Sequence, residues 1–402
     1  MLSNFAVKNC KIMHSGRYIF AQVTDYIPRY VFDRAVATYK GDFHAKDLSC
    51  YNQLLHLLFG QITGCASLRD ICLCLEAHKG ILYHLGFRNT VTISSLSRAN
   101  ETRDYRIYEE LGRYLISRVR PLYAASPIPG IIEDNTIYAL DSTTISTSIK
   151  LATWALGKYT KGAVKMHTLL DLRGSIPVNI HITDGKWHDS NEWRYIPIES
   201  GAVYTADKAY IDLVQMYRMQ LSGAFFVMRP KDSMRFTTIR ELIDDRLTST
   251  VRADYVVRMA LPKSRLAYPD EMRLVKALDS DSGELITFIT NNFDFDPLEI
   301  ATIYRHRWDI EVFFKWIKQN ITIKSLWGYS ENAVRTQLWV AISAYLLLAL
   351  IRAEIKSPYS ITEIATLIRL SALEKAELKG LLTRPTNANL SNQNVKEQSL
   401  FD

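Results

Sequence analysis

The chain has 402 residues, which is enough for two or three domains, each with its own core. Hydrophobic residues make up 48% of it and charged residues 23%, a balance that is typical of a soluble globular protein and excludes an intrinsically disordered one. The formal net charge of +7 is compatible with nucleic-acid binding but does not require it.

The cysteine positions and the hydropathy of the chain indicate the cellular compartment. The five cysteines all lie in the first quarter of the chain, in spacings unlike those of a zinc site, so we expect reduced thiols in a cytosolic protein. Met1–Lys11 lacks the apolar core of an export signal. The longest apolar run, Leu338–Ile351, is shorter than the roughly 18–20 residues that span a bilayer, so it predicts a buried helix and no membrane contact.

Residues 1–130 are predicted to be mostly helical. One helix is expected over Tyr51–Gly60, and a second begins after Ser67, whose hydroxyl can cap it. Residues 92–106 are rich in Ser, Thr and Arg. They fit either a short helix that meets a phosphate backbone or a lone polar turn, and the sequence leaves both open.

From residue 131 the pattern changes to short β-type runs. The predicted strands are Ile137–Leu140, Met166–Leu172, Ile176–Thr183, Val203–Ala206 and Ala224–Met228. Gly174 marks a hairpin turn, and Tyr210–Leu221 has the pattern of a helix. Three strands followed by a strand–helix–strand unit predict a mixed α/β sheet.

Residues 230–284 have the pattern of an insertion, with extended runs at Thr250–Met259 and Arg273–Leu278 in charged surroundings. The β pattern resumes at Leu285–Thr290. A helix is then predicted over 298–319 and a last one after Ser360, which forms a capping box with Glu363. The polar tail from Thr383 is expected to be disordered.

The helix predicted at 298–319 carries a polar stripe beside its apolar face. At about 100° per residue, Tyr304, Arg307, Glu311 and Lys318 lie within roughly 60° of one another. A carboxylate held between cations at the margin of a core suits a metal ligand beside phosphate-binding groups. The simpler alternative is an amphipathic helix with an ordinary Arg307–Glu311 pair. Trp308 and Trp316 are interpreted as core residues rather than base-stacking groups.

Two aspartates follow predicted strands. Asp141 comes after Ile137–Leu140, and Asp207 comes after Val203–Ala206. A buried strand-end carboxylate needs a partner or a metal, although Asp207 could simply cap the next helix. Taken together with Glu311, the two favour one shared acidic site. Other side chains that could reach this site are His188–Asp189, Lys165 and His167, for which surface positions are the simpler interpretation.

These residues resemble the Asp-Asp-Glu site of transposases with a ribonuclease-H-like fold. Tyr304-x2-Arg307-x3-Glu311-x6-Lys318 matches, without a gap, the Tyr-Arg-Glu-Lys signature of the insertion-sequence-four branch. The LDSTT segment around Asp141 and the Asp-x-Ala-Tyr segment at 207–210 match that branch's two acidic motifs. The resemblance covers most of the chain.

The resemblance implies an α/β fold with five parts. These are a helical DNA-binding region (1–130), a ribonuclease-H-like catalytic domain in two pieces (131–229 and 285–355), a β-rich insertion (230–284), and a C-terminal helix with a polar tail (356–402).

The implied chemistry is metal-dependent DNA cleavage and strand transfer. Asp141, Asp207 and Glu311 would bind two Mg²⁺ ions, with Mn²⁺ able to substitute, while Tyr304, Arg307 and Lys318 would contact DNA. The implied partners are the terminal inverted repeats, target DNA and a second copy of the chain, in a bacterial cytoplasm near the nucleoid. The alternatives are a non-transposing nuclease or resolvase on the same fold, and a catalytically inactive DNA-binding regulator.

Overall fold

The structure is a computed structural model that describes residues 16–43, 45–132, 134–146, 154, 162–242, 250–279, 283–320 and 326–383. The chain packs into two compact units, one formed by Met1–Leu115 with Gln319–Asp402 and the other by Ile116–Lys318. Met1–Lys11, where we expect no export signal, and the polar tail beyond Thr383 lie outside the described residues.

The first unit is helical where it is described. Its helices are α1 (Ile19–Thr24), α2 (Arg29–Thr38), α3 (Cys50–Thr63), α4 (Leu68–Ala77), α5 (Ile93–Thr102), the start of α6 (Arg106–Tyr123), α11 (Glu331–Ile355), α12 (Ile361–Ser371) and α13 (Leu378–Thr383). A 3₁₀ segment covers Lys79–Leu85. Helix α3 contains the expected helix at 51–60 and packs against α4, α11 and α12.

Side-chain caps begin several of these helices. The Ser67 hydroxyl accepts from the Asp70 amide at 3.2 Å, as predicted. Ser360 and Glu363 form the predicted capping box. The Thr92 hydroxyl accepts from the Ser95 amide at 3.2 Å, so the segment after residue 92 forms helix α5 rather than a lone polar turn. In each case an amide at the helix start that would otherwise lack a partner receives one.

Helix α11 is the core helix of the first unit. Nearly every residue from Ala333 to Ile351 is buried, which confirms the buried helix predicted at 338–351. By length and composition α11 could cross a membrane, but 78% of its apolar window is buried inside the protein. Helices α3 and α4 meet the same criterion only as a pair bent by 97°.

The second unit is built on one mixed sheet. Its strands are β1 (Ile137–Ser146), β2 (Ala163–Asp171), β3 (Ile176–Asp184), β4 (Val203–Ala206), β5 (Phe225–Met228), β6 (Phe236–Glu241), β7 (Val251–Met259), β8 (Met272–Leu278) and β9 (Leu285–Thr290). Their order is β3-β2-β1-β4-β5-β9-β8-β7-β6. The strands predicted from the sequence are present, although β1 runs six residues beyond Leu140.

The first three strands form an antiparallel meander, and β4 and β5 then run parallel to β1. Gly174 makes the β2–β3 turn with a φ of +76°, as predicted. A side chain there would be strained by this φ and would also clash with the Tyr123 ring. The inner strands are buried and contribute Tyr138, Tyr204 and Phe226 to the main core.

The strands of residues 230–284 extend this same sheet. Strand β9 pairs with β5 on one side and with β8 on the other, and β7 and β6 continue outward. The backbone groups at the edge of β9 are therefore paired by the segment that precedes it in the chain.

Where it is described, the second unit also contains the end of α6 and the helices α7 (Leu213–Leu221), α8 (Pro262–Ala267), α9 (Pro297–His306) and α10 (Asp309–Asn320). Helix α7 begins later than predicted because Asp212, not an earlier residue, caps it by accepting from the Val214 and Gln215 amides. Helix α9 packs against β4, β5, β7 and β8.

The prediction of a single helix at 298–319 is wrong. A tight turn at Arg307–Trp308 divides this segment into α9 and α10. The Arg307 and Trp308 amides donate to carbonyls only three residues back, at 3.1 and 3.0 Å, which tightens the helix locally. Trp308 leaves this turn 58% exposed, so its interpretation as a core residue is also wrong. Trp316 is partly buried.

Candidate active site

The sheet brings the two predicted aspartates together. Strands β1 and β4 are parallel neighbours, and Leu140 pairs with Ala206. Asp141 and Asp207 each follow that pair directly, so they occupy equivalent positions on the same side of the sheet, at the point where the β1–β4 pairing ends. This position could not be read from the sequence, because it depends on the register of two strands more than sixty residues apart.

Local contacts fix each aspartate. Asp141 remains in β1 and accepts from the Ser142 amide at 2.7 Å. Asp207 ends β4 and accepts from the Lys208 amide at 2.7 Å, at the start of a 3₁₀ turn over Lys208–Tyr210. Tyr210 anchors that turn. Its ring is buried, and its backbone carbonyl accepts a hydrogen bond from the Trp193 indole at 2.9 Å. Helix α7 has its own cap in Asp212, so Asp207 is not needed there.

Arg307 joins Asp141 to Glu311. Its Nη2 donates to Glu311 Oε1 at 3.0 Å, and its Nη1 lies 3.8 Å from Asp141 Oδ2. The Arg307 side chain is only 13% exposed. Of the predicted residues, Asp141, Asp207, Arg307 and Glu311 therefore form one cluster. The ordinary Arg307–Glu311 pair is also present, but it belongs to this cluster.

The charged groups of the cluster act on one another. Burial is the main cause that raises the pKa of Asp141 to about 6. The carboxylates of Glu311 and Asp207 also raise this pKa, while the Ser142 amide and the Arg307 guanidinium lower it. One guanidinium is thus shared by Asp141 and Glu311, with Asp207 close enough to Asp141 to repel it, and a further cation would relieve this repulsion.

Tyr304 lies at the margin of the cluster. Burial raises the pKa of its phenol, and Arg307 lowers this pKa while Asp207 raises it, so both lie nearby. Its ring is 5.3 Å from the Phe288 ring and 5.7 Å from the Arg307 guanidinium carbon. Lys318 is partly buried, two turns beyond Glu311 and about 10 Å further along the axis of α10.

A second polar group adjoins Asp141. The Ser142 hydroxyl donates to Asp189 Oδ1 at 3.1 Å, and the Lys165 ammonium donates to the same oxygen at 2.9 Å. His167 Nδ1 lies 3.8 Å from that oxygen. Asp189, Lys165 and His167 thus lie beside the site, whereas His188 is exposed and pairs with Ser190. In the sequence, the one sign of this second group is that Lys165 and His167 alternate along β2, which places their side chains on the same side of the strand.

The donor chemistry of the cluster fits a divalent cation. In the described ranges, no three His, Cys, Asp or Glu side chains converge closely enough to enclose a metal ion. The three carboxylates nevertheless supply the hard oxygen ligands that Mg²⁺ prefers. The raised pKa of Asp141 means that its charge is poorly compensated by the protein alone.

Known families account for most of the chain. Residues 133–347 match the family described as Transposase DDE domain, and residues 15–88 match a family described as Domain of unknown function (DUF4372). The first match spans all of the candidate site residues.

Three relatives carry transposase names. A Sinorhizobium fredii protein named as transposase y4zB is 38% identical over 52% of this chain and 59% of its own length. A Geobacillus stearothermophilus protein named as the transposase for insertion sequence element IS5377 is 31% identical over 52% of this chain and 55% of its own length. A Synechocystis protein named as the transposase for insertion sequence element IS4SA is 30% identical over 65% of this chain and 72% of its own length. The chain therefore spans little more than half of the first two relatives.

Among solved structures, the chain is similar to a piggyBac transposase synaptic complex with hairpin DNA, at a TM-score of 0.48 and 9% identity over 96% of this chain and 86% of the other. This likeness is too slight to support an argument about fold. The family match covers more than half of the chain and contains the acidic cluster, so the chain belongs to the Transposase DDE domain family.

Proposed function

We propose that the chain is a transposase that cuts DNA at the terminal inverted repeats of an insertion sequence and joins the ends to target DNA. The observation that carries this proposal is the cluster itself. Asp141 in β1 and Asp207 at the end of β4 occupy neighbouring positions on adjacent parallel strands, and Arg307 connects Asp141 with Glu311. The family match and the insertion-sequence names of the relatives support it.

The fold and branch are part of the proposal. An antiparallel β1–β3 meander with β4 and β5 parallel to β1 is the arrangement we assign to a ribonuclease-H-like catalytic domain. Residues 230–284 would be its β-rich insertion. The spacing of Tyr304, Arg307, Glu311 and Lys318 supports membership of the insertion-sequence-four branch.

Asp141, Asp207 and Glu311 would hold two divalent cations, Mg²⁺ by preference and Mn²⁺ as a substitute. Bound there, such ions supply Lewis-acid stabilisation and lower the pKa of a water or 3′-hydroxyl nucleophile.

The protein's own groups would prepare the site for phosphate. Arg307 holds Asp141 and Glu311 in place and presents a partly buried positive charge beside them. Tyr304, whose pKa is raised by burial, keeps its proton at neutral pH and can donate it to a phosphate oxygen. Lys318 would bind a phosphate further along the strand as a point charge.

The helical N-terminal region would hold the DNA ends. A groove of about 1010 Å³ in the first unit is lined by Lys40, Lys46 and Arg98 together with Thr92 and Ser95 at the start of α5. The cations suit phosphates, as does the start of a helix. Because joining two ends requires two active sites, we propose a homodimer assembled on DNA in the bacterial cytoplasm.

The test is cleavage of duplexes that carry the element's own terminal repeats and flanking sequence. We expect the full-length chain with Mg²⁺ to cut at the repeat ends and then join them to a target duplex, whereas a shuffled duplex and a chelated reaction stay intact. Cutting without joining would indicate a nuclease or resolvase. Specific binding without cutting would indicate a regulator. Either result overturns the proposal.

A further inference from the structure

His306, the last residue of α9, lies between two hydrogen-bond acceptors on different segments. Its Nδ1 is 3.0 Å from Asp309 Oδ2 on α10, and its Nε2 is 2.8 Å from the carbonyl oxygen of Pro129, in the loop that precedes β1. The side chain is only 17% exposed. The imidazole therefore connects the turn between α9 and α10 with a segment 177 residues away in the chain.

The two contacts fix the protonation state of the ring. A carbonyl oxygen and an ionised carboxylate can only accept, so each ring nitrogen must carry a proton and donate. His306 in this arrangement is an imidazolium cation. The hydrogen bond to Asp309 is the main cause that raises the pKa of His306, and the Pro129 carbonyl adds to it, while burial and the Arg305 guanidinium on α9 oppose it. Asp134, the other charged residue described in the loop, is exposed.

The charges of this pair also suit the ends of the two helices. The last carbonyl groups of a helix give its end a partial negative charge, and the first amide groups give its start a partial positive charge. His306 is in the last turn of α9 and Asp309 is in the first turn of α10, so each ion stabilises the helix end that it occupies. The ion pair across Arg307–Trp308 therefore favours two helices joined by a tight turn over one continuous helix.

The same loop is attached to α9 at a second point. The Ile132 amide donates to Glu299 Oε1, near the start of α9, at 3.0 Å. Glu299 and His306 thus fasten the two ends of α9 to the loop that continues into β1. A change at His306 would release the end of α9 that leads to Arg307 and Glu311.

We propose that His306 is a positioning residue for the cleavage reaction. Its imidazolium fastens the α9–α10 turn to the loop before β1, and it thereby keeps Arg307 and Glu311 at the acidic cluster. Loss of the proton removes the charge and one of the two donors, so the turn loses one of its two attachments as the pH rises. The inference rests on the proposed transposase function and adds to it a pH-dependent control of the same site.

Nuclear magnetic resonance of the full chain, labelled with ¹⁵N in its histidines, tests the charge without DNA or metal. We expect one imidazole to remain largely doubly protonated at about pH 7, with a titration midpoint above the ordinary value of about 6.5. His306→Gln should remove this resonance, and Asp309→Asn should lower its midpoint. A His306 ring that titrates at or below the ordinary value would overturn the inference.

Single-turnover cleavage of a saturated terminal-repeat complex tests the positioning role. We expect His306→Gln to cut about tenfold more slowly than the wild type near pH 6.5, because the acidic site is held less accurately. The difference should shrink to about twofold near pH 9, where the wild type has also lost its imidazolium. The ratio of the two rates cancels the pH dependence that both proteins share. His306→Arg keeps a cation with several donors, so it should recover part of the rate and lose the pH dependence.

The controls separate positioning from folding and from the wider proposal. His84 is exposed in the first unit, so His84→Gln should behave as the wild type at every pH. If His306→Gln does not fold, Asp309→Asn replaces it and should move the loss of rate to lower pH. The inference is wrong if the folded variant cuts at the wild-type rate, or if the ratio of rates is constant across the pH range. Wild-type protein that leaves repeat ends uncut at every pH would instead overturn the proposed function, a result that the resonance titration distinguishes from an uncharged His306.

Discussion

Glu311 accepts a hydrogen bond from Arg307 at 3.0 Å across the tight turn that divides α9 from α10. The same guanidinium lies 3.8 Å from Asp141, so the helix and the sheet edge are connected through one side chain. This contact connects the acid on the helix with Asp141, which the β1–β4 register places beside Asp207.

The three acids should be individually essential. We expect Asp141→Ala, Asp207→Ala and Glu311→Ala each to lower cleavage more than about a thousandfold while end binding persists, because groups that act as a unit fail together. Single-turnover cleavage with Mg²⁺, alongside a binding assay, measures this. Asp232→Ala is the matched control, since that side chain is 95% exposed. A single acid variant that keeps substantial cutting would remove that residue from the assignment.

Arg307 should be more than a stabilising ion pair. Arg307→Lys keeps the charge but loses the fork that reaches both Glu311 and Asp141, so we expect cleavage of a saturated end complex to fall about a hundredfold. Lys318→Ala should lower the cleavage rate more than the affinity. Wild-type rates in saturated Arg307→Lys protein, with only a lower melting temperature, would reduce the pair to an ordinary helix contact.

Asp141 should destabilise the metal-free fold at neutral pH. Its folded pKa is raised to about 6, above the unfolded value, so the ionised form disfavours folding by up to about 3 kcal/mol above pH 6. This penalty disappears as the pH falls below about 4, where the carboxyl is protonated in both states. In chelator, Asp141→Asn should therefore raise the melting temperature at pH 8 and leave it nearly unchanged at pH 4. An equal shift at both values would contradict the buried-carboxylate argument.

Asp189 should support Asp141 through Ser142. Asp189→Asn removes the countercharge of Lys165 and weakens the acceptor for the Ser142 hydroxyl, so we expect a loss of about 2 kcal/mol in stability. Because Ser142 also fixes Asp141 through its amide, cleavage should fall about tenfold at saturation. Denaturant unfolding and single-turnover rates measure the two effects. Lys186→Ala, three residues away and exposed, should change neither; matching losses in both variants would point to the loop as a whole.

The groove in the first unit should hold phosphates. In the full-length chain, the combined change of Lys40, Lys46 and Arg98 to Ala should weaken binding to repeat ends and reduce the slope of log affinity against log salt by about three. Lys263→Ala on α8 should leave the slope unchanged. The full chain is required because α3 packs against α11 and α12, which a fragment of residues 1–130 would lack. An unaltered slope in the triple variant would move end binding elsewhere.

Several features followed from the sequence alone. Apolar runs bounded by turns located the strands, because burying such runs is the main favourable contribution to folding. Ser67, Ser360 and Gly174 predicted their caps and turn, since these depend only on nearby backbone groups. The spacing of Tyr304, Arg307, Glu311 and Lys318 and the two aspartate motifs pointed to the family that residues 133–347 match.

The remaining features depended on contacts between distant segments. The pairing of Leu140 with Ala206 sets Asp141 beside Asp207, and no local pattern contains that register. Residues 230–284 have the pattern of an insertion, but strand pairing through β9 incorporates them into the central sheet. Trp308 has the large apolar side chain of a typical core residue, yet the tight turn at Arg307 leaves it exposed. Hydrophobicity predicts that a side chain prefers burial, whereas only the packing of helix against sheet decides which side chains obtain it.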